Sequence, residues 1–113
     1  MRVEGPDLKL APDAAQMLAL AFHELTMNAV RHGSLREPGG RVCIDWSRDG
    51  DEVRLRWREE GGPPVAAPER SGFGRVLLER LVGASLGGTV SLDFRPDGLV
   101  CALAFPKDRL IAA

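Results

Sequence analysis

Residues 41–47 and 52–58 both alternate apolar and polar side chains, and the turn signal Asp49-Gly50 separates them. The apolar side chains recur at every second position: Val42, Ile44, Trp46, Val53, Leu55 and Trp57. This period is that of a strand with one buried face, and Asp-Gly favours the tight turn of a hairpin. The two segments therefore predict an antiparallel hairpin whose apolar face has to be covered by the rest of the chain.

A long helical pattern precedes this hairpin. Pro12 suits the first helical position, Asp13 lies in the first turn, and Gly33 is expected to supply a left-handed C-cap. An apolar stripe suited to packing on a sheet runs along the helix: Leu18, Phe22, Leu25 and Ala29. Leu8 and Leu10 alternate with a polar residue and predict a brief strand before the helix.

A second helix and a second hairpin follow a loop. Residues 59–72 are rich in glycine and proline, lack periodicity and predict a loop. Residues 73–86 return to helical spacing, and residues 89–94 and 99–105 flank a Pro-Asp-Gly turn. This order predicts an α+β fold, a two-layer α/β sandwich with helices on one face of a mixed, mainly antiparallel sheet.

Composition limits the classes of function. The 113 residues include 15 basic and 16 acidic side chains, so no electrostatic basis for binding nucleic acid exists. No apolar run approaches the roughly 20 residues that span a bilayer, and we expect no membrane contact and a cytoplasmic location. The length is that of one domain, residues 1–113. Cys43 and Cys101 lack CxxC spacing and are expected to be small buried hydrophobes.

One side of the predicted first helix becomes polar along its last turns. Glu24, Asn28, Arg31 and His32 are spaced so that they share this side. An acid, a carboxamide and two basic groups can hold a hydrated divalent metal and the phosphates that it bridges. A solvated helix edge is the alternative interpretation of the same pattern.

Two further segments suit a nucleotide. Glu59 directly follows a predicted strand and lies two residues before Gly61 and Gly62, so a carboxylate fixed at the strand end could accept a hydrogen bond from an exocyclic amine such as that of adenine. The segment Gly72-Phe73-Gly74 opens the second helix, where free backbone N–H groups favour phosphate. Neither a Walker A loop nor a complete GxGxxG fingerprint is present.

Together these segments resemble a known family. The residues His23-Glu24-Leu25-Thr26-Met27-Asn28-Ala29-Val30-Arg31-His32-Gly33 resemble the N-box of the ATP-binding domain shared by gyrase-type topoisomerases, heat-shock chaperones, sensor histidine kinases and mismatch-repair ATPases. The leading histidine, Trp57-Arg58-Glu59 and Gly61-Gly62-Pro63 are similar to the HWE class of bacterial sensor histidine kinases. The resemblance extends from about residue 3 to residue 106 and implies the Bergerat-type ATP-binding fold.

The resemblance also implies roles for individual residues, with ATP and Mg²⁺ as ligands. It implies that Asn28 ligates magnesium, and that Glu24 orients the metal's water or activates the attacking group. It implies that Glu59 reads the adenine amine. The remaining residues that it assigns to the ATP pocket are Arg31, His32, Gly61, Gly62, Gly72, Phe73 and Gly74. The loop 63–71 would cover the nucleotide.

The function implied is that of the catalytic domain of a two-component sensor kinase, separated from its sensor and phosphoacceptor regions. Such a domain would transfer the γ-phosphoryl group of Mg-ATP to a histidine on a separate dimerisation region, for relay to an aspartate of a response regulator. A stand-alone serine kinase of the anti-sigma type, a nucleotide-sensing regulatory module and a non-catalytic interaction domain are the alternatives. The HWE-like residues favour the histidine kinase.

Two residues have more than one interpretation. His23, followed by an acid, is similar to a phosphoacceptor histidine, but it falls in the middle of a helix of the domain that should itself bind ATP. A role at the ATP site and a structural histidine are the other two interpretations of His23. Trp57 is interpreted as a buried strand residue that supports the floor of the pocket.

Overall fold

The computed structural model describes residues 2–62, 78–96 and 98–112. Five strands are present in this part of the chain: β1 (Arg2–Glu4), β2 (Arg41–Asp49), β3 (Glu52–Glu60), β4 (Thr89–Arg95) and β5 (Gly98–Pro106). The helices are α1 (Pro12–His32), a 3-10 turn (Ser34–Arg36), a π-helix (Arg80–Ser85) and the short α2 (Lys107–Leu110). Both predicted hairpins are confirmed, and each strand is slightly longer than the sequence pattern suggested.

The five strands form one sheet in the order β1-β2-β3-β5-β4. Strand β1 pairs parallel with β2, and the other three pairings are antiparallel. In the centre of the sheet, Trp57 lies opposite Ile44 on one side and Cys101 on the other. The predicted mixed, mainly antiparallel sheet is confirmed.

Helix α1 packs on one face of this sheet. It buries a stripe that consists of Ala14, Leu18, Ala21, Leu25 and Ala29. Phe22, which was expected in this stripe, is only partly buried and packs beside the core. Within the described residues, no helix combines the length and the apolar character needed to cross a membrane.

The core lies between α1 and the inward face of the sheet. The strands contribute side chains from alternate positions: Val42, Ile44, Val53, Leu55, Trp57, Leu99, Cys101, Leu103 and Phe105. Leu78, Val82 and Leu86, in and beside the π-helix, belong to the same core. Removal of each such large side chain from water stabilises the fold by about 1.5–3 kcal/mol. The other face of β3 carries Arg54 and Arg56, which pair with acidic residues near the surface.

Two local predictions are corrected. The N-terminal strand is Arg2–Glu4, and Leu10 makes only an isolated bridge to Ile111, so the strand predicted at residues 8–10 is misplaced. Gly33 has φ −122° and ψ −150°, so the predicted left-handed C-cap is wrong. The chain leaves α1 in an extended conformation because the next residue turns towards the end of β3. Of the predicted second helix, residues 73–77 lie outside the described part, residues 78–85 are helical, and Leu86 is a turn residue.

Candidate functional site

The candidate site is centred on a carboxylate that points into the fold. Strand β3 places every second side chain inward, and this alternation carries Trp57 and Glu59 to the same face. Glu59 is only 3% exposed. A buried carboxylate is costly unless hydrogen-bond donors surround it.

Two donors among the described residues contact this carboxylate. The indole N–H of Trp57 donates to Oε2 of Glu59 over 3.0 Å. The backbone N–H of Ser34 donates to Oε1 over 3.1 Å. Ser34 directly follows Gly33 at the end of α1, so this bond joins the C-terminal end of the helix to the C-terminal end of β3.

Glycines allow the backbone around this carboxylate to approach closely. A Cβ atom on Gly62 would lie 2.7 Å from the nitrogen of Ser34, and one on Gly40 would overlap the Ser34 carbonyl. A Cβ atom on Gly98 would overlap the backbone carbonyl of Glu59. The sequence suggested that glycines near Glu59 let backbone approach a ligand. The structure shows that they also let three segments of the chain pack on one another.

Gly61 belongs to the same junction. It has φ +75°, and a Cβ atom there would lie 2.8 Å from the carbonyl oxygen of Gly39. Both the backbone conformation and the close contact require glycine at this position. The predicted roles of Gly61 and Gly62 in lining an ATP pocket remain predictions.

The polar side of α1 is present as predicted. Glu24, Asn28 and His32 are partly buried, and Arg31 is exposed. Within residues 2–62, 78–96 and 98–112, none of these four side chains makes a hydrogen bond or an ion pair. Arg31 and His32 lie in the last turn of the helix, where basic groups interact favourably with the helix dipole.

The donor set on this side of α1 suits magnesium. Mg²⁺ prefers oxygen ligands and keeps several waters, so one or two protein side chains suffice. Glu24 offers a carboxylate and Asn28 an amide oxygen, and neither side chain is engaged by a described residue. No group of three or more His, Cys, Asp or Glu side chains is clustered in the described part of the chain.

Some predicted residues lie outside the described part. These are Gly72, Phe73, Gly74 and the loop 63–71. The assignment of the helix start as a phosphate site therefore remains a prediction. His23 is exposed and has no partner among the described residues, which does not support its interpretation as a structural histidine.

Sequence reasoning missed Ser34. Its backbone N–H is the donor described above, and it is only 2% exposed. Its hydroxyl is buried and makes no hydrogen bond within the described residues. The only local signal is its position directly after the glycine that ends α1, because the bond to Glu59 joins residues 25 positions apart.

Cys101 lies near the carboxylate of Glu59. It is opposite Trp57 in the sheet and fully buried, whereas Cys43 is partly buried. Burial, together with the nearby charge of Glu59, raises the pKa of the Cys101 thiol to about 12. The expectation of two buried cysteines is confirmed for Cys101 and holds only in part for Cys43.

We expect Cys101 to resist alkylation in the folded protein. At pH 8 its thiolate fraction is on the order of 10⁻⁴, because the raised pKa keeps the proton on sulfur up to well above pH 9. Mass spectrometry after iodoacetamide treatment should show modification of Cys43 before Cys101. Cys43→Ala should leave the folded protein nearly unmodified, and urea should expose the remaining thiol. Equal rates for the two cysteines at pH 8 would contradict this expectation.

Comparison with known proteins decides the family. The sequence pattern of the histidine kinase-like ATPase domain matches residues 6–85. The chain belongs to this family. The resemblance to sensor histidine kinases that the motifs indicated is confirmed at this level.

Relatives and solved structures agree with this assignment. This histidine kinase-like ATPase domain is 40% identical over 105 residues to blue-light-activated histidine kinase 1 of Erythrobacter litoralis, covering 90% of this chain and 29% of the relative. It superposes on the histidine kinase domain of the E. litoralis EL346 blue-light-activated histidine kinase with a TM-score of 0.78 and 18% identity, covering 96% and 51% of the two chains. The histidine kinase ThkA, in complex with the response regulator protein TrrA, gives a TM-score of 0.69 and 19% identity, covering 95% and 34%.

The structural matches confirm the predicted two-layer fold of this ATPase domain. The domain spans less than a third of the length of the E. litoralis relative, and the match includes 90% of the domain.

Proposed function

We propose that residues 1–113 are the cytoplasmic catalytic ATP-binding domain of a sensor histidine kinase. The domain would bind Mg-ATP and transfer its γ-phosphoryl group to a histidine on a separate phosphoacceptor region. The phosphohistidine would then supply an aspartate of a response regulator. The phosphoacceptor region would lie elsewhere in the same chain or in a partner chain.

One observation carries this proposal. The bond from the Ser34 N–H to Glu59 places an acid suited to an exocyclic amine beside the end of the polar side of α1. The proposed base-binding group and the proposed phosphate-binding and metal-binding side of α1 would then belong to one junction, which supports the proposal. The family assignment, the relative named a histidine kinase and the neighbour solved with a response regulator support the same conclusion.

The residues divide the work of binding. Glu59 accepts a hydrogen bond from the 6-amino group of adenine, while Arg31 and His32 contact the phosphates or the ribose. Asn28 would hold Mg²⁺ through its amide oxygen, and Glu24 would hold it through one of the metal's waters. When bound, the metal would neutralise charge on the phosphates.

Phosphoryl transfer needs little covalent assistance from the protein, so positioning and charge neutralisation dominate. A nitrogen of the acceptor imidazole forms a bond to the γ-phosphorus as the bond to the bridging oxygen of ADP breaks. Arg31, at the exposed end of α1, stabilises the negative charge that moves onto ADP. Glu24 accepts the proton that the imidazole releases.

Replacement of Asn28 by alanine tests the metal-binding part of the proposal. We expect wild-type protein to bind ATP more tightly with Mg²⁺ than with EDTA. In Asn28→Ala the ratio of ATP affinity with Mg²⁺ to that with EDTA should fall by about tenfold, because one oxygen ligand of the metal is lost. Isothermal titration of ATP under both conditions measures the difference.

Gln16→Ala is the matched control, because Gln16 is an exposed carboxamide in the first half of α1, away from the polar side. This variant should retain the full effect of Mg²⁺. An Asn28→Ala protein with an unchanged Mg²⁺ effect would exclude Asn28 as a ligand. Absence of ATP binding by the wild-type protein would overturn the proposed function.

A further inference from the structure

The carboxylate of Glu59 is held at both oxygens by groups of different origin. The indole N–H of Trp57 reaches Oε2 over 3.0 Å, and the backbone N–H of Ser34 reaches Oε1 over 3.1 Å. Trp57 is fully buried and Glu59 is 3% exposed. The interpretation of Trp57 as support for the pocket floor therefore leaves the hydrogen bond of its indole N–H unexplained.

We propose that Trp57 is a positioning residue that sets the selectivity for purines carrying a 6-amino group. Its indole N–H fixes the rotation of the Glu59 carboxylate, so that the acceptor oxygens face the base. This inference rests on the proposed function of Glu59 as the group that binds adenine. It assigns to Trp57 a role in choosing the nucleotide, beyond its part in the core.

Without such hydrogen bonds, a glutamate carboxylate rotates easily about its terminal bond. The terminal torsion of Glu has broad minima, so the position of the oxygens depends on what binds them. Among the described residues each oxygen has one donor, and these two bonds together constrain the plane of the carboxylate; removal of the indole N–H takes away one of the two constraints. A carboxylate has about four acceptor sites, so it can accept from a base as well as from protein donors.

The indole is itself held in place. The ring of Phe22 on α1 stacks on that of Trp57 with centroids 6.3 Å apart and an interplanar angle of 23°. Trp57 also lies in the central strand of the sheet, paired on both sides. Because helix and sheet both contact the ring, its N–H has a fixed direction, and low exposure strengthens the bond that it makes.

The chemistry of the base explains why this orientation decides selectivity. Adenine presents an amino group at position 6, which donates to a carboxylate. Guanine presents a carbonyl oxygen there, which repels it, and unsubstituted purine presents neither donor nor acceptor. A carboxylate locked with its acceptors towards this position favours adenine over both, and one that rotates loses part of that preference.

Trp57→Phe tests the inference, because it keeps an aromatic ring and removes the N–H. We expect the dissociation constant for Mg-ATP to rise by about tenfold, while that for the triphosphate of purine riboside changes by less than about twofold. A variant that only loosened the core would weaken both nucleotides alike. The ratio of the two constants, measured by titration calorimetry, therefore separates positioning from general damage.

The second tryptophan provides the control. The indole N–H of Trp46 donates to the backbone carbonyl of Pro6 over 2.7 Å, away from Glu59. Trp46→Phe removes the same kind of bond and should leave the ratio unchanged. Trp57→Phe with the wild-type ratio would overturn the inference. If Glu59→Gln also kept the wild-type ratio, the proposed role of Glu59 would fail as well.

A measurement on the wild-type protein covers the case in which Trp57→Phe does not fold. The two indole N–H signals of a ¹⁵N-labelled sample can be assigned with Trp46→Phe. The Trp57 signal should exchange slowly with solvent and shift when Mg-ATP is added, whereas the Trp46 signal should not shift. Rapid exchange of the Trp57 signal, or no response to Mg-ATP at concentrations that saturate binding, would overturn the inference.

Discussion

Glu59→Gln should weaken the binding of Mg-ATP by roughly 10- to 100-fold, the range expected when a hydrogen bond to a charged group is lost. A carboxylate accepts at both oxygens, but a glutamine amide has one oxygen and one NH₂ group. Its nitrogen would face either the Trp57 N–H or the Ser34 N–H, and two donors would oppose each other. The amide would therefore rotate or shift, and the contact with the 6-amino group would be lost. Titration calorimetry with Mg-ATP measures the effect.

Glu60→Gln is the matched control for this substitution. Glu60 is the next residue along β3 and points to the opposite face, where its carboxylate lies 3.5 Å from Arg41 and 4.0 Å from Arg58. Its side chain is 41% exposed, and surface pairs of this kind contribute at most about 1 kcal/mol. We expect Glu60→Gln to bind Mg-ATP like the wild type. An equal loss of affinity in both variants would mean that the charge of the region, not the contact with Glu59, governs binding.

The fold could be predicted because its elements have clear periods. The alternation in β2 and β3 and the stripe of α1 identify buried faces directly. Strand β1 could not be placed in this way, because it has only three residues and all three are exposed. This strand forms because its backbone pairs with β2, and such pairing cannot be recognised from the side chains of three exposed residues. Helical spacing likewise does not distinguish the π-helix at Arg80–Ser85 from an α-helix.

Only those features of the candidate site that depend on residues close together in the sequence could be predicted. The polar side of α1 and the position of Glu59 at a strand end follow from spacing, and the resemblance to a family adds their roles. The contact between Ser34 and Glu59 could not be predicted, because it depends on how α1 ends against β3. The same contact explains the error at Gly33. A glycine after a helix commonly adopts positive φ, but here the chain must extend to bring the Ser34 N–H to the carboxylate.

Gly98→Ala should lower the free energy of unfolding by about 2–6 kcal/mol. Gly98 has φ +143°, a conformation that costs an alanine about 1–3 kcal/mol. The new Cβ atom would also overlap the backbone carbonyl of Glu59, so the first residue of β5 or the end of β3 would have to move. Forced movement of this kind in a packed interior adds about 1–3 kcal/mol. Urea unfolding of the two proteins, followed by circular dichroism, measures the difference.

Gly50→Ala separates the two contributions. Gly50 lies in the other hairpin turn with φ +60°, and a Cβ atom there would have no neighbour within 4 Å. The free energy of unfolding of this variant should fall only by the cost of a positive φ for alanine, about 1–2 kcal/mol. The additional loss of unfolding free energy in Gly98→Ala would then measure the contact with Glu59. The affinity for Mg-ATP should fall in Gly98→Ala alone, because the carboxylate of Glu59 moves with its backbone. Equal losses in the two variants would mean that β5 can withdraw from Glu59 without cost, so that this glycine does not hold the carboxylate in place.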